Sequence, residues 1–166
     1  MPPPAPTFAE SRDDLMPLSE IGKISGLEFI TGIMDGRFPA PPIARTLDFQ
    51  LTEVSAGRVV FTGTPQFAHF NPIGTVHGGW FGTLLDSCMA CAVQSSLPAG
   101  QGYTTLEFKV NILRPAFETS GPLRAIGQVD HVGRRTATAV GRMLDENDKL
   151  FATGSTTCLV MPLPPA

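Results

Sequence analysis

Residues 78–97 read GGWFGTLLDSCMACAVQSSL, and the single charge among them is Asp86. The run reads as one helix over Gly78–Leu97 with no wet face. Widening the window strengthens the point, because from Val59 to Leu106 Asp86 is still the only charged side chain. A mostly apolar helix must be enclosed, and a sheet with one apolar face wrapped around it accounts for the whole stretch. The expected fold class is therefore α+β, an antiparallel sheet around a central helix.

Strands are expected on both sides of that helix. The clearest is Tyr103–Leu113, where Leu106, Phe108, Val110 and Ile112 alternate with Thr105, Glu107, Lys109 and Asn111. This is the period of two of a half-buried strand, and it puts Thr104 on the apolar side. Others fit 45–54 and 58–64 about a Ser55-Ala56-Gly57 turn, and 123–132, 135–144 and 149–161 about turns at Gly133-Arg134 and Glu146-Asn147-Asp148. Ahead of them a helix is expected over Leu18–Met34 with Ser19 as its cap, although Gly22, Gly26 and Gly32 weaken it. The Pro39–Pro42 segment ends that helix and begins an extended chain. The expected organisation is a proline-rich flexible arm at 1–17, a helix and proline hinge at 18–42, the main domain at 43–161 and a tail at 162–166. No internal repeats occur.

Composition narrows the function. The 166 residues include 17 Gly and 16 Pro, a level that invites comparison with disordered chains, yet 42% are hydrophobic and only 16% charged. Most of the prolines fall at 2–17, 39–42 and 162–165, outside the expected core. With a net charge of −3, one Trp and one Tyr, the chain is not built to bind nucleic acid. It shows no membrane span and no secretory signal, so a cytoplasmic protein is expected. Three cysteines make no disulfide framework. Cys88 and Cys91 form a Cys-x-x-Cys in mid-helix, away from the helix start that activates redox pairs, and are expected to be buried thiols without a metal.

Chemistry is expected at two places. A mid-helix carboxylate with no charged neighbour is costly to bury, and such groups gather at active sites. Asp86 shares a side of its helix with Gly79, Gly82, Met89, Ala90 and Val93, mostly small residues that let a substrate or another backbone come close. The plain structural alternative, an exposed Asp on an amphipathic helix, would bring further charges with it. The second place is His77-Gly78-Gly79, where unpaired backbone N–H groups at a helix start, uncovered by side chains, can polarise a carbonyl. Gly78 and Asp86 lie about 12 Å apart along one helix. If they serve one site, Asp86 must come from an antiparallel second copy, as a two-fold dimer supplies.

The run HFNPIGTVHGG at 69–79, with Asp86 seven residues on, GYTTLE at 102–107, NILRP at 111–115 and VGRR at 132–135, resembles the hotdog-fold acyl-CoA thioesterases of the phenylacetyl-CoA (PaaI) type. The likeness spans roughly 45–161, and the preceding helix and proline hinge are similar to a subgroup of that family. It implies a five- or six-stranded antiparallel sheet around a central helix, and homodimers, or dimers of dimers, with shared active sites. It further implies hydrolysis of acyl-CoA, in which CoA is part of the substrate and no separate cofactor is needed. Asp86 would be the catalytic carboxylate, as general base or as nucleophile. The Gly78 N–H would polarise the thioester carbonyl, Asn71 would orient water or substrate from the facing subunit, His77 would position this end of the site, and Thr104 would help hold the water. Gly79 would adjoin the substrate, Trp80 would either line the acyl pocket or simply pack in the core, the plainer reading, and Arg114, Arg134 and Arg135 could meet the CoA phosphates.

Two other readings stay in view. A hotdog enoyl-CoA hydratase places His directly after an Asn-Pro-aliphatic run, whereas Gly74 follows Ile73 here. A non-catalytic acyl-CoA-binding or regulatory module would not need Asp86, Asn71 and His77-Gly78 together.

Overall fold

The computed structural model describes residues 7–164, so the first six residues of the expected arm and the last two of the tail lie outside the described residues. Short helices α1 (Leu18–Ile21), α2 (Gly26–Met34) and α3 (Pro42–Thr46) precede strands β1 (Phe49–Ser55) and β2 (Arg58–Gly63). The long helix α4 (Gly78–Ser95) follows, and then β3 (Gln101–Ile112), β4 (Leu123–Val132), β5 (Thr136–Leu144) and β6 (Leu150–Pro162). The strands form one antiparallel sheet in the order β1-β2-β4-β5-β6-β3. The sheet curls around α4, as its sequence required: Phe81, Leu84, Leu85, Cys88, Met89, Ala92 and Val93 are all buried.

Glycines set how closely the helix lies on the sheet. Gly127 on β4 pairs with Gly141 on β5, which pairs with Gly154 on β6, so three strands carry a glycine row across the inner face. A Cβ on Gly127 would land on the Cys88 carbonyl of α4. Cβ atoms on Gly141 and Gly154 would press on the Met89 side chain at 3.0 and 3.1 Å. The row is thus a trough in which the middle of α4 sits, with Met89 as the filler.

The N-terminal third departs from expectation. The helix expected over 18–34 is two helices, broken at Gly22-Lys23-Ile24, and the cap that matters is Ser25, not Ser19. Ser25 Oγ accepts the Glu28 N–H at 3.2 Å and satisfies one of the free donors of α2. Removing it should cost about 1 kcal/mol, so Ser25→Ala is expected to lower the melting temperature by about 2–4 °C in a thermal scan. The Pro39–Pro42 hinge does not lead straight into extended chain. Pro42 occupies the first turn of α3, where its fixed φ favours a helix, and β1 starts only at Phe49. The expected flexible arm is docked over its described part. Ala9 is buried, Ala40 N–H donates to the Thr7 carbonyl at 2.7 Å, and Arg45 pairs with Glu10.

Candidate active site

Asp86 lies half-buried on α4, where Thr105 Oγ1 of β3 donates to its Oδ1 at 3.1 Å. Burial pushes the Asp86 carboxyl above the usual range, and the Thr105 hydroxyl pulls it part of the way back. The hydroxyl at Asp86 is therefore that of Thr105, whereas Thr104, the residue expected there, is exposed and makes no hydrogen bond to Asp86. The reason is a bulge: β3 shifts register on β6 between Thr105 and Glu107, and the inward parity changes across Leu106. Before the bulge Tyr103 and Thr105 face α4. After it Phe108 and Ile112 do, their side chains lying where Cβ atoms on Gly82 and Gly78 would meet them.

Losing the hydroxyl should raise the Asp86 pKa further, because that hydrogen bond favours the carboxylate. Thr105→Val is expected to move the titration of the Asp86 carboxyl to higher pH, while Thr104→Val leaves it in place. Carboxyl NMR titrations of the two variants check this.

The start of α4 is built by a short loop and a histidine. His77 is the N-cap, and its Nδ1 accepts the Gly79 N–H at 2.9 Å, which assigns the ring proton to Nε2. The Gly78 N–H has no hydrogen-bond partner among the described residues. It borders a pocket of about 270 Å³ whose lining includes Asn71, Ile112 and Arg114. Asn71 braces the loop that shapes this pocket. Its Oδ1 accepts from the Ile73 and Thr75 N–H groups, and its Nδ2 donates to Thr75 Oγ1 at 2.8 Å, leaving one amide hydrogen for a ligand.

The chain thus brings Asn71, Gly78 and Arg114 together, with His77 and Gly79 at the same helix end, and sets Asp86 with Thr105 two turns further along α4. Arg134 and Arg135 are elsewhere. They border a separate pocket of about 460 Å³ beside Gln101, at the opposite end of β3 from Arg114. Of the two places weighed for Trp80, the acyl pocket and the core, it occupies the core. It is buried, donates its indole N–H to the Leu47 carbonyl at 2.9 Å and stacks on His69. Buried His69 accepts the Gln66 N–H at Nδ1 and holds the loop entrance, a structural part that the sequence reading did not assign. Burial of Cys88 and Cys91 raises both thiols, Cys91 to about 12, so neither is a thiolate near neutral pH. Among the described residues no group of His, Cys, Asp and Glu is arranged to hold a metal, and no helix is long and apolar enough to cross a membrane.

The sequence profile of the thioesterase superfamily matches residues 73–152. Among solved structures, the chain is similar to a phenylacetic acid degradation-related protein of Ralstonia eutropha JMP134, described as a candidate thioesterase. The two share 32% identity over 79% of this chain and 98% of that one, with a TM-score of 0.71. It is also similar to a variant of the phenylacetic acid degradation protein PaaI of Thermus thermophilus, with 27% identity over 71% and 97% of the two chains and a TM-score of 0.64. The E. coli PaaI protein from the phenylacetic acid degradation operon shares the fold at 24% identity, covering 75% and 87%, with a TM-score of 0.66. No curated protein sequence gives a significant match.

Proposed function

The chain belongs to the thioesterase superfamily, with a PaaI-like hotdog fold, and on that premise we propose that it hydrolyses acyl-CoA thioesters at a site shared between two copies of itself. The observation that carries this reading is the half-buried Asp86, held by Thr105, on a helix whose start offers an unpartnered N–H at Gly78. About 12 Å of helix separates the two groups, too far for both to act on one carbonyl within one chain.

A two-fold copy resolves the separation through β3. This strand is an edge of the sheet, twelve residues long, and leaves Leu106, Phe108 and Ile112 substantially exposed. A long apolar edge is a template for pairing with another strand. Antiparallel pairing of β3 with its copy, centred beside Phe108 and Lys109, sets Thr105 opposite Ile112 of the partner subunit. Because Thr105 marks Asp86 and Ile112 marks Gly78, the same register brings Asp86 to the partner's Gly78. It also carries Arg134 and Arg135 toward the partner's Arg114, a cationic rim suited to the CoA phosphates.

In this arrangement the Asp86 carboxylate takes a proton from water, whose oxygen bonds to the thioester carbon. The carbonyl oxygen gains negative charge against the partner's Gly78 N–H. The C–S bond then breaks, and Asp86 returns its proton to the leaving sulfur, giving free acid and CoA. Base catalysis requires the ionised carboxylate, so kcat/KM is expected to fall as pH drops through a pKa above the ordinary Asp value.

Release of free thiol from a panel of acyl-CoAs tests the reading. Wild-type turnover that Asp86→Asn abolishes is expected. Binding of acyl-CoA with no turnover above that of Asp86→Asn would make the protein a binding module instead.

A further inference from the structure

Two cavities adjoin beneath the N-terminal segment, and the lining of the first includes Thr105, the hydrogen-bond partner of Asp86. This outer chamber, about 510 Å³, is lined by Thr105, Tyr103 and Cys91 on the domain side and by Phe29, Ile30 and Ile33 of α2 on the other. The inner chamber, about 450 Å³, runs on between α2, α3 and the β1–β2 pair, where Phe8, Met34, Ala44, Phe49 and Phe61 form its walls. Ile30, Ile33, Pro41 and Cys91 line both, so the two chambers adjoin at a shared boundary and together outline a passage. Its middle is apolar. The polar lining lies away from these shared residues, Thr104, Thr105 and Gln94 in the outer chamber and Asp35, Gln50 and Thr52 in the inner one.

We infer that this passage is the acyl-chain site and that the preferred substrates carry unbranched chains of medium to long length rather than a compact aryl group. The inference rests on the thioesterase reading, which puts the scissile carbonyl at Asp86; Thr105 both lines the outer chamber and donates its hydrogen bond to that carboxylate. Each chamber alone falls within the size range of a small-molecule site, so a single ring would fill only part of the passage. An alkyl chain threads both and meets hydrocarbon throughout. The roof is formed by α2 and α3, which precede the long helix in the chain. It is also firmly placed: Ile30 is buried, Gly26 lies against the Gln94 carbonyl of α4, and the docked 7–9 segment closes the side at Phe8.

Two measurements test the inference. In the hydrolysis assay, kcat/KM should rise by about fourfold per methylene from butyryl- to decanoyl-CoA and exceed the value for phenylacetyl-CoA. Ile33→Trp, which fills the junction of the chambers, should lower the decanoyl-to-butyryl ratio of kcat/KM at least tenfold. Separately, S-alkyl-CoA thioethers, which have no carbonyl to hydrolyse, should bind more tightly as the alkyl chain lengthens. Hydrolysis with a flat chain-length profile and flat thioether binding would overturn the chain site and leave the thioesterase reading standing. Thioether binding that tightens with length, without hydrolysis of any ester, would do the reverse.

Discussion

Asp86→Asn is expected to lower kcat/KM about 10²–10⁴-fold with the fold intact. Asn has the shape of Asp, and its side-chain oxygen can still accept the Thr105 hydroxyl, so packing against β3 survives. What disappears is the capacity to take a proton from water. The substitution also makes a stability prediction of opposite sense. The Asp86 pKa is raised by burial, so the folded state favours the neutral carboxyl. That preference stabilises the native protein fully below the unfolded-state pKa and is lost as pH rises through the folded one. Above it, wild type carries a partly desolvated charge that Asn lacks. The variant should therefore melt higher than wild type at pH 7–8, and the gap should close as pH falls toward the ordinary Asp range. Thermal scans over that pH range check it; a variant that melts lower at neutral pH would mean that Asp86 has a stabilising partner instead.

Gly127→Ala is expected to destabilise the protein by about 3 kcal/mol or more, the upper end of what overpacking costs. The added methyl would occupy the position of the Cys88 carbonyl and press on the Met89 amide, both backbone atoms of α4. No rotamer change relieves a clash with backbone. The helix would have to lift from the trough, and Met89 would then leave Gly141 and Gly154 uncovered. A denaturant titration should show a much lower midpoint, and a midpoint equal to that of wild type would contradict the close approach of helix and sheet.

The central architecture was legible because its signals are local. The isolation of Asp86 within a long uncharged stretch marked α4 and the need to enclose it, and alternation with turn residues located the later strands to within a residue or two. The departures each have a cause that one-dimensional spacing does not carry. The apolar alternation of β3 runs through Leu106 unbroken, so nothing in it announces the bulge that turns Thr105, rather than Thr104, to Asp86. The glycine row depends on registers between β4, β5 and β6, and its members lie far apart in the chain. Trp80 found its partner in the Leu47 carbonyl, 33 residues away, and that bond keeps the indole in the core. One signal was present and went unread: Ser25 followed by Glu28 has the spacing of a helix start, and it places α2 correctly. At the site, the helix-start glycines and the carboxylate were readable as separate features. The edge position of β3, which offers a way to join them across two subunits, required the sheet order.

The shared site is tested most directly by complementation between two inactive variants. Gly78→Pro removes the one N–H proposed to hold the carbonyl, and it does so at the first position of α4, where proline suits a helix and the extended backbone of His77 suits a following proline. Neither Gly78→Pro nor Asp86→Asn should be active alone. In a mixed dimer one site combines both lesions, while the other keeps the wild-type Asp86 of one subunit and the wild-type Gly78 of its partner. Co-expression in equal amounts should restore about a quarter of wild-type thiol release per subunit, since about half the dimers are mixed and each has one working site. Activity that stays at the level of the separate variants, in dimers shown to be mixed, would contradict a site built from two chains.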